Sequence, residues 1–363
     1  MKKIVIFTQN LEFGGIQKSV ANLANYLSFY FDVNIILAEN NKPIHYEIDK
    51  KVQLHSIKIL CINHKISNIG EKLFKYRVGE LEKLLSQNKP DLVISYSDYH
   101  NLILLRSNFT GKKILSCRNS IESSYKDKMI HLLSKDFYYD NIKKYYKKAN
   151  KIIAVSNFVQ YELRYKFNLD NVITIHNGIE EKETNDEVSY DKFILNVGRL
   201  HKQKGQRDLI YSFNKIKNKI SQNLVIVGDG VEKENLTNLI HDLGLTSRVF
   251  LAGFDESLKY IKKCDLFIFP SYYEGFSNTI LEVMSCKKNI ISYEYSGSKE
   301  ILPKENLVPL GNIEQLASKI VYYLSNNKEN KKLESLLYKR SKKLSLNKAL
   351  KKYMDVVKKT CAE

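Results

Sequence analysis

Short runs of β-branched and other apolar residues alternate along this chain with amphipathic stretches, and most runs end in glycine or a polar residue. Lys3–Thr8 reads as a first strand. Gly14-Gly15 reads as a turn, and residues 16–29 as a helix with Val20, Leu23, Ala24 and Leu27 on one face. Residues 33–37, 52–57, 92–95, 113–116 and 152–155 read as further strands, since buried parallel strands are short, continuous and rich in Val and Ile. A long helix is expected between residues 129 and 148. A second series starts near residue 192. Its strands are expected at 192–197, 223–227, 249–251, 266–269 and 289–292, and its helices at about 205–219, 231–243, 256–263 and 277–286. Three Lys-rich helices, about 312–325, 329–343 and 346–359, close the chain.

Alternating strands and helices imply parallel sheets wound by right-handed crossovers. The acidic segment 180–187 lacks hydrophobic periodicity and separates the two series, so it reads as a linker. The expected fold class is α/β, with two Rossmann-like domains facing each other across a cleft. Residues 1–178 are expected to form the N-terminal domain and 179–345 the C-terminal domain. Residues 346–363 form a last helix, for which a return to the N-terminal domain is one option. Open α/β sheets bind ligands beyond the carboxyl ends of their strands, which places the site in the cleft between the sheets.

Composition narrows this picture. Of 363 residues 43% are apolar and 27% charged, enough for a normal core and against wholesale disorder. No apolar run reaches the roughly 18–20 residues of a membrane span. The first apolar run is too short for a signal peptide. Five cysteines, at 61, 117, 264, 286 and 361, form no Cys-x-x-Cys pair, which argues against a disulfide framework or a structural zinc site and for the cytosol. The net charge of +18 suits nucleic acid, an anionic membrane or phosphorylated ligands, and a general Lys bias gives the same number. The basic residues spread through both halves without a recognisable nucleic-acid motif, so nucleic acid is not an expected partner.

The most specific chemical feature is the stretch from Ser271 through Glu274, Gly275, Phe276, Ser277, Asn278 and Thr279 to Glu282, which follows a strand and opens a helix. Orphan N–H groups and the dipole at a helix N-terminus favour an anion such as phosphate, and the two carboxylates are placed to grip hydroxyls on either side of it. Capped-helix chemistry with solvated acids is the plainer reading. A second feature runs from Asn196 through Gly198 and Arg199 to Lys204 and Gly205, again between a strand and a helix. Arg supplies a rigid fork and Lys a compact charge, which together suit a diphosphate. Two solvated cations are the alternative. Gly14-Gly15 and Gly228-Asp229-Gly230 mark similar junctions, and Gly-x-Gly-x-x-Gly is missing.

As an ordered set, with Asn177-Gly178 at the domain junction, these features resemble the retaining glycosyltransferases of family 4, which have the GT-B architecture. The resemblance covers nearly the whole chain and is nearest to enzymes of bacterial surface polysaccharides and lipid-linked oligosaccharides. It implies that Arg199 and Lys204 hold the donor diphosphate, Glu282 the ribose hydroxyls and Glu274 the donor sugar. The backbone of Gly275, Phe276, Ser277, Asn278 and Thr279 would contact sugar and phosphate, and Gly15 would lie near the phosphates. Many members carry a His where Arg118 stands here. Arg is no general base at neutral pH, so the resemblance leaves Arg118 to pair with phosphate, orient the sugar or brace the structure.

The implied activity is a retaining, metal-independent transfer of a hexose or N-acetylhexosamine from a nucleotide-diphosphate sugar, expected to be UDP-linked, to a glycan or polyprenyl-linked acceptor. No Asp-x-Asp occurs, and no metal or other cofactor is expected. The expected location is cytoplasmic, peripheral on the inner face of the plasma membrane. Lys143, Lys144, Lys147, Lys148 and Lys151 fall along one side if that segment is a helix, with Tyr145, Ile142 and Ala149 turned elsewhere; such a stripe suits anionic lipid, and equally a solvated helix face. The rival readings are a GT-B-fold sugar-nucleotide epimerase, a non-catalytic scaffold and a basic nucleic-acid-binding protein.

Overall fold

The computed structural model describes residues 1–39, 41–58, 69–125, 135–181, 183–184 and 187–363. They fall into two compact units, one made of Met1–Asn177 with Lys348–Glu363 and the other of Gly178–Asn347. Residues 129–134 of the expected 129–148 helix lie outside the described residues, as do residues 182, 185 and 186 of the 180–187 segment and Cys61.

The first unit is built on a parallel sheet of β1 (Lys3–Thr8), β2 (Asp32–Leu37), β3 (Gln53–Ser56), β4 (Leu92–Tyr96), β5 (Lys112–Cys117), β6 (Lys151–Ala154) and β7 (Val172–Thr174). Their order is β3-β2-β1-β4-β5-β6-β7. β1 pairs in register with β2 (Ile6 opposite Ile35) and with β4 (Ile6 opposite Ile94). On one face Ile4, Ile6, Val33, Ile35, Leu92 and Ile94 pack against Val20, Leu23 and Leu27 of the helix Gly15–Leu27. The same core takes Tyr353, Met354 and Val357 from the closing helix Leu346–Ala362. Tyr353 also places its hydroxyl 3.2 Å from Ser116 Oγ.

The second unit carries β8 (Phe193–Val197), β9 (Asn223–Val227), β10 (Val249–Gly253), β11 (Leu266–Phe269), β12 (Ile290–Tyr293) and β13 (Leu307–Val308), ordered β10-β9-β8-β11-β12-β13 and also parallel. Its core joins Ile194, Leu224, Ile226, Leu266 and Ile268 to Leu209, Ile210 and Phe213 of the helix Gln206–Ile216.

The strands lie within one or two residues of the pattern-based expectation. Two helices, Ile69–Asn88 and Asp98–Arg106, go beyond it. The second is buried at every position from Asp98 to Leu105, so it has no polar stripe for periodicity to detect. β7 and β13 span three and two residues and leave too short a run to read.

The lysine stripe needs a correction. The helix Lys135–Tyr145 carries only Lys143 and Lys144 of it, Tyr146–Lys148 form a 3₁₀ turn, and Lys151 opens β6. Buried Tyr146 and Ala149 anchor the turn, and the Tyr146 hydroxyl donates to Asp98 at 3.0 Å. Lys143, Lys144, Lys147 and Lys148 are exposed, but not as one helical face. Tyr145 is not turned away from them: Lys144 and Lys148 stand over its ring at 5.4 and 4.6 Å, with Arg106 at 4.9 Å. Among the described residues no helix is long and apolar enough to cross a membrane.

Candidate functional site

In the second sheet the strand order reverses between β8 and β11. A crevice forms at such a switch point, outside the carboxyl ends of the two strands, because their crossover connections leave in opposite directions. The two motifs singled out by their residue types follow these two strands. Gly198 to Gly205 leave β8, and Pro270 to Ser277 leave β11. Asn196, inside β8, donates from Nδ2 to the Ile268 carbonyl at 2.8 Å and ties the strands together just below the loops.

The loops are zipped to each other. The Tyr272 N–H donates to the Gln203 carbonyl at 2.8 Å, and Gln203 Nε2 donates to the Tyr273 carbonyl at 2.7 Å. Gly205 sits at φ 65, where a Cβ would lie 2.1 Å from the Pro270 carbonyl oxygen. Only glycine permits both that backbone conformation and that approach. Lys204 is thereby delivered to Glu274, with Nζ 2.5 Å from Oε1 and only 16% and 13% of the two side chains exposed. The ammonium also stands 5.6 Å from the centre of the Phe269 ring. Arg199 is exposed, and its carbonyl is fixed by Gln206 Nε2 at 3.0 Å. The helix Asn278–Ser285 is capped by Ser277, whose Oγ accepts from the Ile280 N–H at 3.4 Å. Gly275 and Phe276 are buried in front of it, while Asn278, Thr279 and Glu282 are half-buried.

Three contributors escape a reading by spacing. Gln203 holds the loops together, as above. Asp208 accepts from the hydroxyls of Tyr272 at 2.6 Å and Tyr293 at 2.9 Å, and so braces the strand-end loop that carries Glu274. Burial, and then the Asp208 carboxylate, push the Tyr272 phenol up to about 12, so it stays a donor throughout the physiological range. Tyr295 is buried against Phe269, with ring centres 6.3 Å apart. Burial, followed by the charges of Glu274 and Glu300, raises its phenol well above the usual value. Each depends on a partner distant in sequence; Gln203 stands inside the Asn196–Gly205 stretch without being one of its charged or glycine positions, and Asp208 and Tyr295 lie outside both motifs.

Gly15 and Arg118 belong to the first unit. Gly15 opens the helix Gly15–Leu27, and the Tyr46 hydroxyl holds the preceding turn, accepting from the Gly14 N–H at 3.0 Å and donating to its carbonyl at 2.9 Å. Arg118 follows β5. Its guanidinium is buried, hydrogen-bonds Asn177 Oδ1 and lies 5.7 Å from the centre of the Tyr96 ring. The geometry therefore joins Lys204, Glu274 and the backbone of Arg199 in one constellation, with the helix of Glu282 opening from the same loop.

Such a constellation offers the Lys204 ammonium and a helix N-terminus to an anion, and a carboxylate to hydroxyls. Comparison with known proteins agrees with this chemistry. Residues 178–340 match the family model for glycosyl transferases group 1, and residues 13–183 the model for glycosyltransferase family 4. The chain is 32% identical over 316 residues to N-acetylgalactosamine-N,N'-diacetylbacillosaminyl-diphospho-undecaprenol 4-alpha-N-acetylgalactosaminyltransferase of Campylobacter jejuni, covering 83% of each chain. Among solved structures it resembles sucrose-phosphate synthase from Thermosynechococcus elongatus, with a TM-score of 0.85 at 17% identity over the whole of both chains. It also resembles HepE of Anabaena in complex with UDP and glucose, with a TM-score of 0.76 at 16% identity, covering 99% of this chain and 100% of that one.

Proposed function

This chain belongs to the family 4 glycosyltransferases and is a transferase of GT-B type, and from that premise we propose that it moves a hexose or N-acetylhexosamine from a UDP-sugar to a lipid-linked glycan with retention of anomeric configuration. The Lys204–Glu274 pair between the two strand-end loops is the observation that carries this reading. In the free protein the cation and the carboxylate neutralise each other. A bound donor separates their tasks: its diphosphate takes the Lys204 ammonium, and the sugar hydroxyls take the Glu274 carboxylate. Arg199 adds a second cation, and the positive end of the helix dipole lies at Ser277–Asn278. Glu282, one turn into that helix, is assigned to the ribose hydroxyls.

The step is a front-face displacement through an oxocarbenium-like state. The anomeric C–O bond breaks and its electron pair goes to the β-phosphate oxygen. The acceptor oxygen bonds to the anomeric carbon on the same face, and its proton passes to the departing phosphate. Lys204 and Arg199 stabilise the charge that grows on the leaving group; removing one such preorganised donor commonly costs about 10²–10³ in rate. These two cations supply the charge compensation, so a metal ion is not required.

The acceptor class rests on the relatives. The Campylobacter enzyme is named for a diphospho-undecaprenol acceptor and an alpha linkage. A second relative from the same organism, 23% identical, is likewise named for a PP-undecaprenol glycan. The exposed Lys143, Lys144, Lys147 and Lys148 provide an attraction of about 1 kcal/mol each near an anionic leaflet, and a peripheral position on the membrane is part of the proposal.

The experiment is transfer from a panel of UDP- and GDP-sugars to short polyprenyl-diphosphate-linked glycans in excess EDTA, with the anomeric coupling of the product read by NMR. The reading expects an α-linked product and free UDP. A β-linked product, or turnover lost on chelation and restored by magnesium, would contradict it. A new sugar nucleotide formed without acceptor would point to an epimerase instead.

A further inference from the structure

We infer that Glu162 is a positioning residue for Arg118: its buried carboxylate reaches across from a neighbouring turn and fixes the exit of the short loop on which Arg118 stands. This rests on the transferase reading, in which Arg118 meets the phosphate or the sugar of the donor.

The loop is pinned at both ends. In the first sheet the strand order reverses between β1 and β4, and β5 is the next strand, so the residues that leave its carboxyl end stand where an open α/β sheet takes ligands. β5 ends at Cys117, whose carbonyl accepts from the Val155 N–H at 3.1 Å, just past β6. Further on, the Ile121 N–H donates to Glu162 Oε2 at 2.7 Å, and the Glu122 N–H lies 3.5 Å from Oε1. Residues 118–120 are what remains between the two anchors. Both anchors belong to β6 and the helical segment behind it, so the loop spans a single frame.

An irregularity in that segment places Glu162. The helix Asn157–Tyr161, capped by Ser156 Oγ on the Val159 N–H at 3.2 Å, passes directly into a π-helical turn, Glu162–Lys166. The wider turn rotates the side chains that it carries, and such turns recur at functional sites. Glu162 and Leu163 are buried, while Arg164 Nη2 ties the turn to the Val172 carbonyl at 2.7 Å.

The carboxylate is held there at a cost. Its side chain is 3% exposed, and Lys166 Nζ stands 4.0 Å away. Burial outweighs the two amides and Lys166, and raises the Glu162 carboxyl above the usual carboxylate range. A local Ser or Asn cap would meet the same amides without burying a charge, but would leave the loop tied only to itself. Glu162 ties it to the element beside β5. Arg118 is buried, hydrogen-bonds Asn177 Oδ1 and lies 5.7 Å from the centre of the Tyr96 ring, so side chains set its guanidinium and Glu162 sets its backbone. A fork held in this way has little left to order when it meets phosphate or sugar oxygens.

Two conservative variants separate reach from charge. Glu162→Gln loses the charge and keeps an oxygen at the distance of the Ile121 amide. Glu162→Asp keeps the charge and falls one methylene short. Transfer kinetics with the UDP-sugar that the wild type uses, and hydrogen-exchange mass spectrometry of the full chain, test this. Glu162→Asp is expected to lose at least fivefold in kcat with KM for the UDP-sugar within twofold, and to exchange amides in the peptide 118–125 at least tenfold faster. Glu162→Gln should stay within threefold of the wild type in both. Exchange in β1 and β8 should not change. A wild-type kcat or wild-type exchange in Glu162→Asp would overturn the proposal, as would a loss in Glu162→Gln as large as in Glu162→Asp. Faster exchange throughout the sheets would make Glu162 an anchor of the fold and overturn it too. Faster exchange confined to 118–125, in a chain whose wild type transfers no sugar, would keep the hold of Glu162 and count against the transferase reading.

Discussion

Lys204 and Glu274 show how much one pair of side chains expresses here. Each was legible in sequence because it stands in a strand-end loop beside glycines, where a solvated Lys or Glu has no need of such neighbours. Their contact at 2.5 Å was not legible, since it bridges 70 positions and depends on Gln203 and Gly205 for its geometry. The same limit hid Asp208 and Tyr295. Buried His100 adds a property no motif announces. Its folded pKa is lowered to about 3 by burial, so between the unfolded value near 6.5 and that point the unfolded chain binds one more proton. The stability His100 contributes is therefore complete above about pH 6.5 and falls with pH by up to roughly 1.4 kcal/mol per unit. Thermal melting should show a lower Tm at pH 5 than at pH 7, with a shallower slope in His100→Gln. An unchanged slope in that variant would contradict this account.

At the level of elements, the strands were readable because buried parallel strands carry unbroken apolar runs, and their carboxyl ends located the loops. The elements that were not readable failed for specific reasons. Asp98–Arg106 is buried at every position through Leu105, and the Lys143–Lys151 segment has helical periodicity interrupted by the 3₁₀ turn that Tyr146 anchors. The junction that carries Lys204 depends on one residue of the turn between β8 and its helix. Gly205→Ala forces a Cβ onto the Pro270 carbonyl at positive φ. It is expected to cost more than about 1 kcal/mol in urea unfolding and to weaken UDP binding more than fivefold. A variant of wild-type stability and wild-type UDP affinity would show that the two loops do not depend on that close approach.

For the whole molecule, the excess of 58 basic over 40 acidic residues fits the proposed work on phosphorylated donors and the proposed position beside an anionic leaflet. Flotation with liposomes should show binding to vesicles containing anionic lipid and not to neutral ones, reduced when Lys143, Lys144, Lys147 and Lys148 are replaced by Gln. Equal recovery on both vesicle types would remove the membrane patch and leave the donor site untouched. The donor site itself is tested most directly by calorimetric titration of UDP in EDTA into the wild type, Lys204→Ala and Glu274→Gln. Lys204→Ala should bind UDP at least tenfold more weakly. Glu274→Gln, which releases Lys204 from its carboxylate, should bind UDP as tightly as the wild type or tighter while its sugar transfer falls at least tenfold. Undiminished UDP affinity in Lys204→Ala would contradict the assignment of that ammonium to the diphosphate.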